Sequence, residues 1–387
     1  MSSNIFVLIT QVLGSCLLTV PFIIYKVGWV LSIVIMVHSV ASMLFTMYYY
    51  IEACYYTRAM SYKDLTKKLL GNKFANLLDV SIIVSYYGFM TAYIIISSQS
   101  VVTFTKNVFG YQLNKYLVKS VIACCVIFPL TLLKSLKQLS QISTVAGLLI
   151  FVFVGTMVVY FFHGLSGSQT CAFSSSDGSQ TAISYALPAF PRADLWTALL
   201  QFVMYVPSMH GNFSSHPVIP RLLKESLGSY LQKRRFTHGP LRATMLLAAA
   251  CFSAVGFMGA AMFGRFVTQN VLEAFGPCRF VWIDVLSLLY AFVVIINFPL
   301  VLYPIKTSLV QTFGDQIETK RGYRISVAID AAFLVLTLAL ALFLESIVSI
   351  FGLFASVAGF FYYFFMPGYC FIVHKQLRKQ NESLDEP

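Results

Sequence analysis

Polarity along this chain changes in long blocks. Apolar runs of about 20 residues are separated by short polar connections. A helix needs about 20 apolar residues to cross the ~30 Å hydrocarbon core of a bilayer, whereas a barrel strand needs about 10 with alternating polarity. The runs predict transmembrane helices, since an unpaired backbone group in hydrocarbon costs several kcal/mol. Ten spans are predicted, at 5–25, 28–52, 76–104, 118–134, 140–163, 195–231, 240–264, 280–311, 325–344 and 346–374. The sixth is interrupted, and the connections are short except for Gly164–Asp194 and a basic stretch inside that sixth segment.

Composition agrees with the pattern. Of the 387 residues, 58% are hydrophobic and 11% charged, against roughly 45–50% and 25% in soluble domains. The net charge of +12 is explained by topology without nucleic acid. With both termini cytosolic, twenty of the 27 Lys and Arg residues fall on the cytosolic side, and the bias alternates loop by loop as the positive-inside rule requires. The eight cysteines show no metal-ligand spacing and mostly lie in apolar segments, where Cys is a small hydrophobe. No cofactor is expected. No cleavable signal is expected either, because the first apolar run is followed by further spans.

Ten spans divide as five plus five around the outer loop 164–194, giving repeat one over 5–163 and repeat two over 195–374 in a single transmembrane domain. An odd number of spans per half forces opposite orientations, the arithmetic of an inverted repeat, in which the first helix of each half is broken at mid-membrane and binds the solute. Span one carries Gly14 and Ser15 about ten residues in. Glycine permits the angles a break needs, although Gly and Ser also let helices pack closely. Span six reads Tyr205-Val206-Pro207-Ser208-Met209-His210-Gly211-Asn212-Phe213-Ser214-Ser215-His216-Pro217-Val218-Ile219-Pro220. Three prolines and a glycine do not fit one continuous helix. One half-helix is expected to end near Val206 and another to start near Pro217, where Pro suits a first turn. Irregular backbone at membrane depth belongs where it lines a cavity or is buried in protein. The fold class read from these features is an all-α polytopic membrane protein with ten transmembrane helices, helices one and six being broken.

In that architecture the amides around Gly14, Ser15 and Cys16 begin a half-helix whose positive dipole end suits an anionic group of the solute. The carbonyls from Tyr205 to Ser208, beside Gly211, suit a cationic one. Histidine titrates nearest neutral pH, which makes His210 and His216, beside the break, candidates for carrying a coupling proton. His38 reads as a packed residue, and Asp79, Asp284 and Asp330 as interfacial. A channel would want repeated pore helices or a charged ring, an enzyme would want clustered acids or a nucleophile, and a receptor would want seven spans with an outer N-terminus. None of these fits, and the chain is not expected to be an enzyme.

The same residues resemble the amino acid/auxin permease family, which includes neutral amino acid transporters of animals and plant amino acid permeases. Gly14-Ser15-Cys16-Leu17-Leu18, followed by Pro21 and Gly28-Trp29, is similar to the first-span core of that family. Pro129-Leu130-Thr131-Leu132-Leu133-Lys134-Ser135-Leu136 looks like its P-L-x-L-L-K-x-L signature. Pro299-Leu300-Val301-Leu302-Tyr303-Pro304-Ile305-Lys306 resembles its P-x-V-x-x-P-I-R run, and His216-Pro217-Val218-Ile219-Pro220 the H-x-V-x-P of its vacuolar and vesicular branch. Ile350-Phe351-Gly352-Leu353 onward to Pro367 fits span ten, so the resemblance covers nearly the whole chain.

The resemblance implies an alternating-access amino acid transporter in the plasma membrane or a vacuolar or lysosomal membrane, with span three lining the pocket. Tyr86, Tyr87 and Tyr93 are available there, and Tyr87 joins the candidate set. It also implies a Cys171–Cys278 disulfide, as some relatives have. Three features depart from the family. Cys16 stands where the second glycine of the motif is expected. Members carry a longer N-terminal tail and an eleventh span outside the ten read here. Sodium-coupled members have Asn where Thr10 stands, and no hydroxyl-bearing residue stands before Pro299. Thr10 and Asn297 are therefore grouped with His210 and His216 as coupling-ion candidates, with a proton expected rather than sodium. The alternatives are a sodium-coupled symporter and an amino-acid-sensing receptor without net transport.

Overall fold

A computed structural model of the chain describes all residues except 1, 60, 134–135, 166–172, 175–179, 182–184, 186, 192, 214, 217–218, 220–229, 279, 315–316, 318 and 381–387. The described residues are overwhelmingly helical, with one two-stranded antiparallel ladder pairing Phe173–Ser174 with Gln180–Thr181. Among the described residues, seven helices are long and apolar enough to cross a membrane: Leu8–Val27, Trp29–Thr57, Asn72–Phe109, Thr144–Leu165, His238–Phe266, Val281–Val310 and Lys320–Phe343. The remaining three expected spans fall on helical stretches that are interrupted.

We number the helices in chain order. Span one is α1 (Ser2–Leu13) and α2 (Cys16–Val27), and span two is α3 (Trp29–Thr57). A short α4 (Tyr62–Leu70) precedes span three, α5 (Asn72–Phe109). Span four is α6 (Lys115–Val121), a π turn at Ile122–Ile127 and α7 (Phe128–Thr131), and span five is α8 (Leu136–Leu165). Then come α9 (Leu195–Gly211), α10 (Tyr230–Phe263), the short α11 (Val271–Ala274) and α12 (Val281–Thr312). Span nine is α13 (Lys320–Phe343), and span ten is α14 (Ile347–Phe360), a π turn at Phe361–Phe365 and α15 (Met366–Gln380).

Both π turns have one cause. Each ends two residues before a proline, Pro129 or Pro367. Proline has no N–H for the carbonyl four residues back. The ladder therefore shifts to i+5 bonding, visible as Phe128 N–H donating to Ala123 O and Met366 N–H to Phe361 O.

The centre of the bundle is α5 against α12, with α14 also lying on α5. The α1 helix packs on α8 and α9 packs on α14, while α2 lies against α10 and α15 against α3. Gly352 sets the α9–α14 approach, since a Cβ there would sit 2.5 Å from the Met204 carbonyl oxygen. Gly28 takes φ +87° between α2 and α3, and the loop before α9 closes on it through Trp29 N–H to Pro188 O at 2.9 Å. That bond satisfies one of the amides a helix start leaves open.

Asp330 is buried within the protein, 3.0 Å from Lys306 Nζ, which also donates to the Thr131 carbonyl at 2.5 Å. The pair ties spans four, eight and nine together. A carboxylate in low dielectric needs such a partner, and Asp330 faces inward on a helix that is otherwise largely exposed.

The short α11, between the seventh and eighth spans, carries Glu273, whose carboxyl burial pushes up to about 7. The folded protein therefore holds this proton more tightly than the unfolded chain does. Its contribution to stability is full below the ordinary carboxylate range near 4.5 and is lost as pH rises through about 7. We expect Glu273→Gln to flatten the pH 5 to pH 8 fall in detergent melting temperature, recovering about 1–3 kcal/mol at pH 8. An identical pH profile in wild type and variant would refute this.

Candidate functional site

The chain interrupts span one where expected. Gly14 N–H still donates to Thr10 O at 2.9 Å, but Leu18 N–H reaches back only to Ser15 O at 3.2 Å. The carbonyls loosened there are taken by side chains. Tyr290 Oη donates to Gly14 O at 2.5 Å, and Thr19 Oγ1 to Cys16 O at 2.9 Å. The interruption is a tight turn, since Ser15 keeps right-handed helical angles of −72° and −22°. Asn297 sits directly against Gly14, where a Cβ would stand 2.7 Å from Asn297 Nδ2. Its Nδ2 donates to Val293 O, while its Oδ1 has no partner.

Span six breaks later than its prolines suggest. The first half-helix runs through Pro207 to Gly211 instead of ending near Val206. Pro207 leaves only the Val203 carbonyl without a donor, and a transmembrane helix tolerates that loss. The carbonyls from Tyr205 to Ser208 are consequently not all free, because Ser208 O accepts from Asn212 N–H at 3.2 Å. The loosened groups move to the Met209–Phe213 end, and Asn212 enters the site with neither side-chain atom partnered. The expected restart at Pro217 lies outside the described residues, although Ser215 and His216 before it are fully buried.

The candidates fall into two connected groups. Around span one, Thr10, Gly14, Ser15, Cys16 and Asn297 share one buried neighbourhood. Around span six, Ser208, His210, Gly211 and His216 are buried with Tyr363 of span ten, whose ring lies 6.1 Å from His210 and 6.0 Å from His216. His210 stacks on Phe364 at 4.6 Å, and His216 Nε2 lies 3.2 Å from Thr46 Oγ1. Span three joins the groups. Tyr93 faces Ser15 and Cys16, and Tyr86 faces Gln11 and Tyr363. Seven residues apart, Tyr86 and Tyr93 share a helix face.

Two candidates stand apart from that centre. Tyr87 is turned about 100° away from Tyr86, and its hydroxyl donates to Leu336 O of α13 at 2.5 Å. Tyr205 is half-buried at the rim, edge-on to Phe22 at 6.1 Å. Sequence reasoning missed Tyr290, Tyr363 and Asn212. The first two sit in aromatic stretches where only the fold distinguishes site from packing, while the third lay inside the predicted break.

The shared feature is orphaned polarity. Ser15 Oγ, Tyr86 Oη, Ser208 Oγ, His210 Nε2, both Asn212 atoms, His216 Nδ1 and Asn297 Oδ1 are buried without a partner. Leaving a buried donor or acceptor unsatisfied costs about 1–3 kcal/mol. These atoms cluster beside the interruption of span one and the C-terminal end of α9. Among the described residues no His, Cys, Asp and Glu group could hold a metal ion.

Comparison with known proteins fits this geometry. A Na+-coupled sialic acid symporter, in a substrate-bound outward-open state, superposes with a TM-score of 0.61 at 12% identity, covering 94% of this chain and 78% of that one. Mhp1, a nucleobase-cation-symport-1 family transporter in a closed conformation with bromovinylhydantoin bound, gives 0.58 at 13% identity, with 90% and 73% covered. The fold is that of multi-pass membrane symporters. A profile of the transmembrane amino acid transporter protein family matches residues 1–384, and the chain belongs to that family. A search of curated proteins returns no match. Family and fold together make this an integral membrane secondary transporter and not an enzyme.

Proposed function

We propose that the protein carries amino acids by alternating access, driven by a proton. The observation that carries this reading is the orphaned polar cluster at the interruptions of spans one and six. The amides of Ser15 and Cys16, at the positive end of α2, bind the substrate carboxylate. Ser208 Oγ and the loosened carbonyls at the C-terminal end of α9, with Asn212, bind its ammonium group. Tyr86 and Tyr93 border the side chain, and Cys16 narrows the floor. His210 and His216 take the coupling proton.

The five-plus-five repeat draws support from the packing. Exchanging each span for the one five places along maps the contact of spans one and five onto six and ten. It also maps five and seven onto ten and two, and three and ten onto eight and five, while three against eight maps onto itself. All of these pairs pack in the structure. The three tryptophans support the ten-span topology. Trp29, Trp196 and Trp282 are 41%, 67% and 50% exposed and stand at the starts of spans two, six and eight, as a belt at one interface would place them. A Cys171–Cys278 disulfide on that side completes the proposal. Six other cysteines are free thiols, and Cys171 lies outside the described residues.

One observation favours sodium as a second reading, namely the unpartnered Asn297 Oδ1 beside Gly14 and the buried Thr10. The substrate assignment is tested by equilibrium binding of a labelled amino acid pool to purified protein. Ser208→Ala is expected to weaken binding about tenfold, the loss of one hydrogen bond to a charged group. Binding unchanged in that variant would remove Ser208 from the site. Binding of sialic acid or hydantoins but of no amino acid would overturn the substrate class.

A further inference from the structure

A cavity opens beside the candidate site, between the start of α4, the first third of α5 and the last third of α12. Its wall mixes charge with hydrocarbon. Lys63 Nζ of α4 and Asp79 Oδ2 of α5 face each other in it at 2.5 Å, with side chains 26% and 15% exposed. Ser308 Oγ donates to the same Asp79 oxygen at 3.1 Å, and Lys63 Nζ also donates to Thr312 Oγ1 at 3.1 Å. Ile82, Ile83, Pro304, Ile305 and Leu309 form most of the remaining wall. The cavity reaches the candidate site through two elements. Ile82 precedes Tyr86 by four residues, so the two share a face of α5 one turn, about 6 Å, apart. Tyr62, which lines the cavity, donates to Tyr362 O at 2.6 Å. Tyr362 Oη lies 2.9 Å from Ser85 Oγ and donates to Tyr363 Oη at 2.6 Å. The Tyr363 ring in turn stands 6.1 and 6.0 Å from His210 and His216.

We infer that this cavity is a second binding site for a zwitterion, an amino acid with an aliphatic side chain, in which Lys63 receives the carboxylate and Asp79 the ammonium group. This rests on the amino acid reading above and extends it by one station between the central site and this end of the bundle. A zwitterion carries the same two charges that Lys63 and Asp79 now offer each other. Inserting it exchanges one ion pair for two, and the cavity stays neutral. Opening the existing pair costs little, because an ion pair this accessible to water contributes little. Ser308 remains a donor to Asp79 and Thr312 an acceptor for Lys63, so both charged groups keep their positions while the partner changes. The apolar wall selects the side chain. A charged one would leave its charge unpaired against isoleucine and leucine, at a heavy desolvation cost.

The setting separates this pair from one that only fastens two helices. Asp64 and Lys68 of α4, 3.0 Å apart, are such a pair, one turn apart on a single exposed face. Lys63 and Asp79 instead line a cavity whose other walls are apolar, two hydrogen bonds from Tyr363. The two sites would also recognise one ligand by different means. The proposed central site offers helix ends and uncharged orphan groups, whereas the cavity offers two full charges. Either can therefore be emptied by mutation without the other. A zwitterionic lipid headgroup has the same pair of charges, and the test separates it from an amino acid.

The test counts amino acids bound per chain of full-length protein in detergent, by equilibrium dialysis against a saturating labelled amino acid mixture. Wild type is expected to hold two. Asp79→Asn removes the partner of the ammonium group, and Leu309→Trp fills the cavity while leaving Lys63 and Asp79 in place. Each variant is expected to hold one. Unlabelled leucine should displace the amino acid lost in these variants, whereas isocaproate and leucinamide, each lacking one of the two charges, should not. One amino acid per wild-type chain, or two in both variants, would overturn the second site and leave the amino acid reading standing. Loss in Asp79→Asn with two still bound by Leu309→Trp would also overturn it, by showing that the ion pair only supports the fold. If the wild-type protein binds none, the amino acid reading falls and the second site with it. Displacement of the second amino acid by glycerophosphoethanolamine more readily than by leucine would assign the cavity to a lipid headgroup and overturn its place on the substrate path.

Discussion

Gly14→Ala is expected to reduce uptake at least about 100-fold while the protein still reaches the membrane. The new methyl would stand 2.7 Å from Asn297 Nδ2 and 2.8 Å from the Thr10 carbonyl oxygen. Contacts that short do not occur, so α1 must withdraw from α12 or Asn297 must turn. Withdrawal of α1 pulls the Gly14 carbonyl from Tyr290 and displaces the amides proposed to receive the carboxylate, and a turned Asn297 loses its bond to Val293 O. A displacement of about 1 Å at a binding centre costs on the order of 10²-fold. The steric cause has its own check. Asn297→Ser removes the crowding amide, so the double variant should regain melting temperature lost by Gly14→Ala without regaining coupling. Wild-type uptake by Gly14→Ala would mean that the close approach of spans one and eight is not part of the site.

The second large effect concerns Lys306 and Asp330. Lys306→Met is expected to destabilise the protein by about 3–5 kcal/mol, because it leaves a carboxylate buried without its counter-charge. Asp330 has no exposure, and its Oδ1 already lacks a partner, so nothing else nearby takes over. Replacing both residues, Lys306→Met with Asp330→Leu, should restore most of the loss, since well-packed apolar residues substitute for a buried pair at little cost. Denaturation in detergent, with the yield of monodisperse protein, reads both. A double variant as unstable as the single one would show that the pair is needed for more than mutual neutralisation, for instance through the bond to Thr131 O.

The fold was legible where hydrocarbon dictates it. Apolar length alone marked the seven long helices, and Gly14-Ser15 marked the interruption in span one. Span six was only partly readable. Proline signals a lost hydrogen bond but not where the helix gives way, and here it yields at Gly211, five residues beyond Val206. Span three shows the limit differently. Tyr86 and Tyr87 are equivalent in sequence, and one step of helical rotation sends one to the site and the other to Leu336. The buried pairing of Asp330 was not legible, because its partner Lys306 lies 24 residues away on another helix. The histidines looked scattered for the same reason. Only packing brings His210, His216, His238 and His374 against span two.

The most direct test of the whole account is uptake of a labelled amino acid mixture into proteoliposomes, under an imposed proton gradient and then a sodium gradient. The account predicts accumulation that follows the proton gradient and collapses when the gradient is dissipated. Accumulation that follows sodium alone would keep the amino acid site, move coupling to Thr10 and Asn297, and contradict the proton assignment. No accumulation under either gradient would contradict transport by this chain.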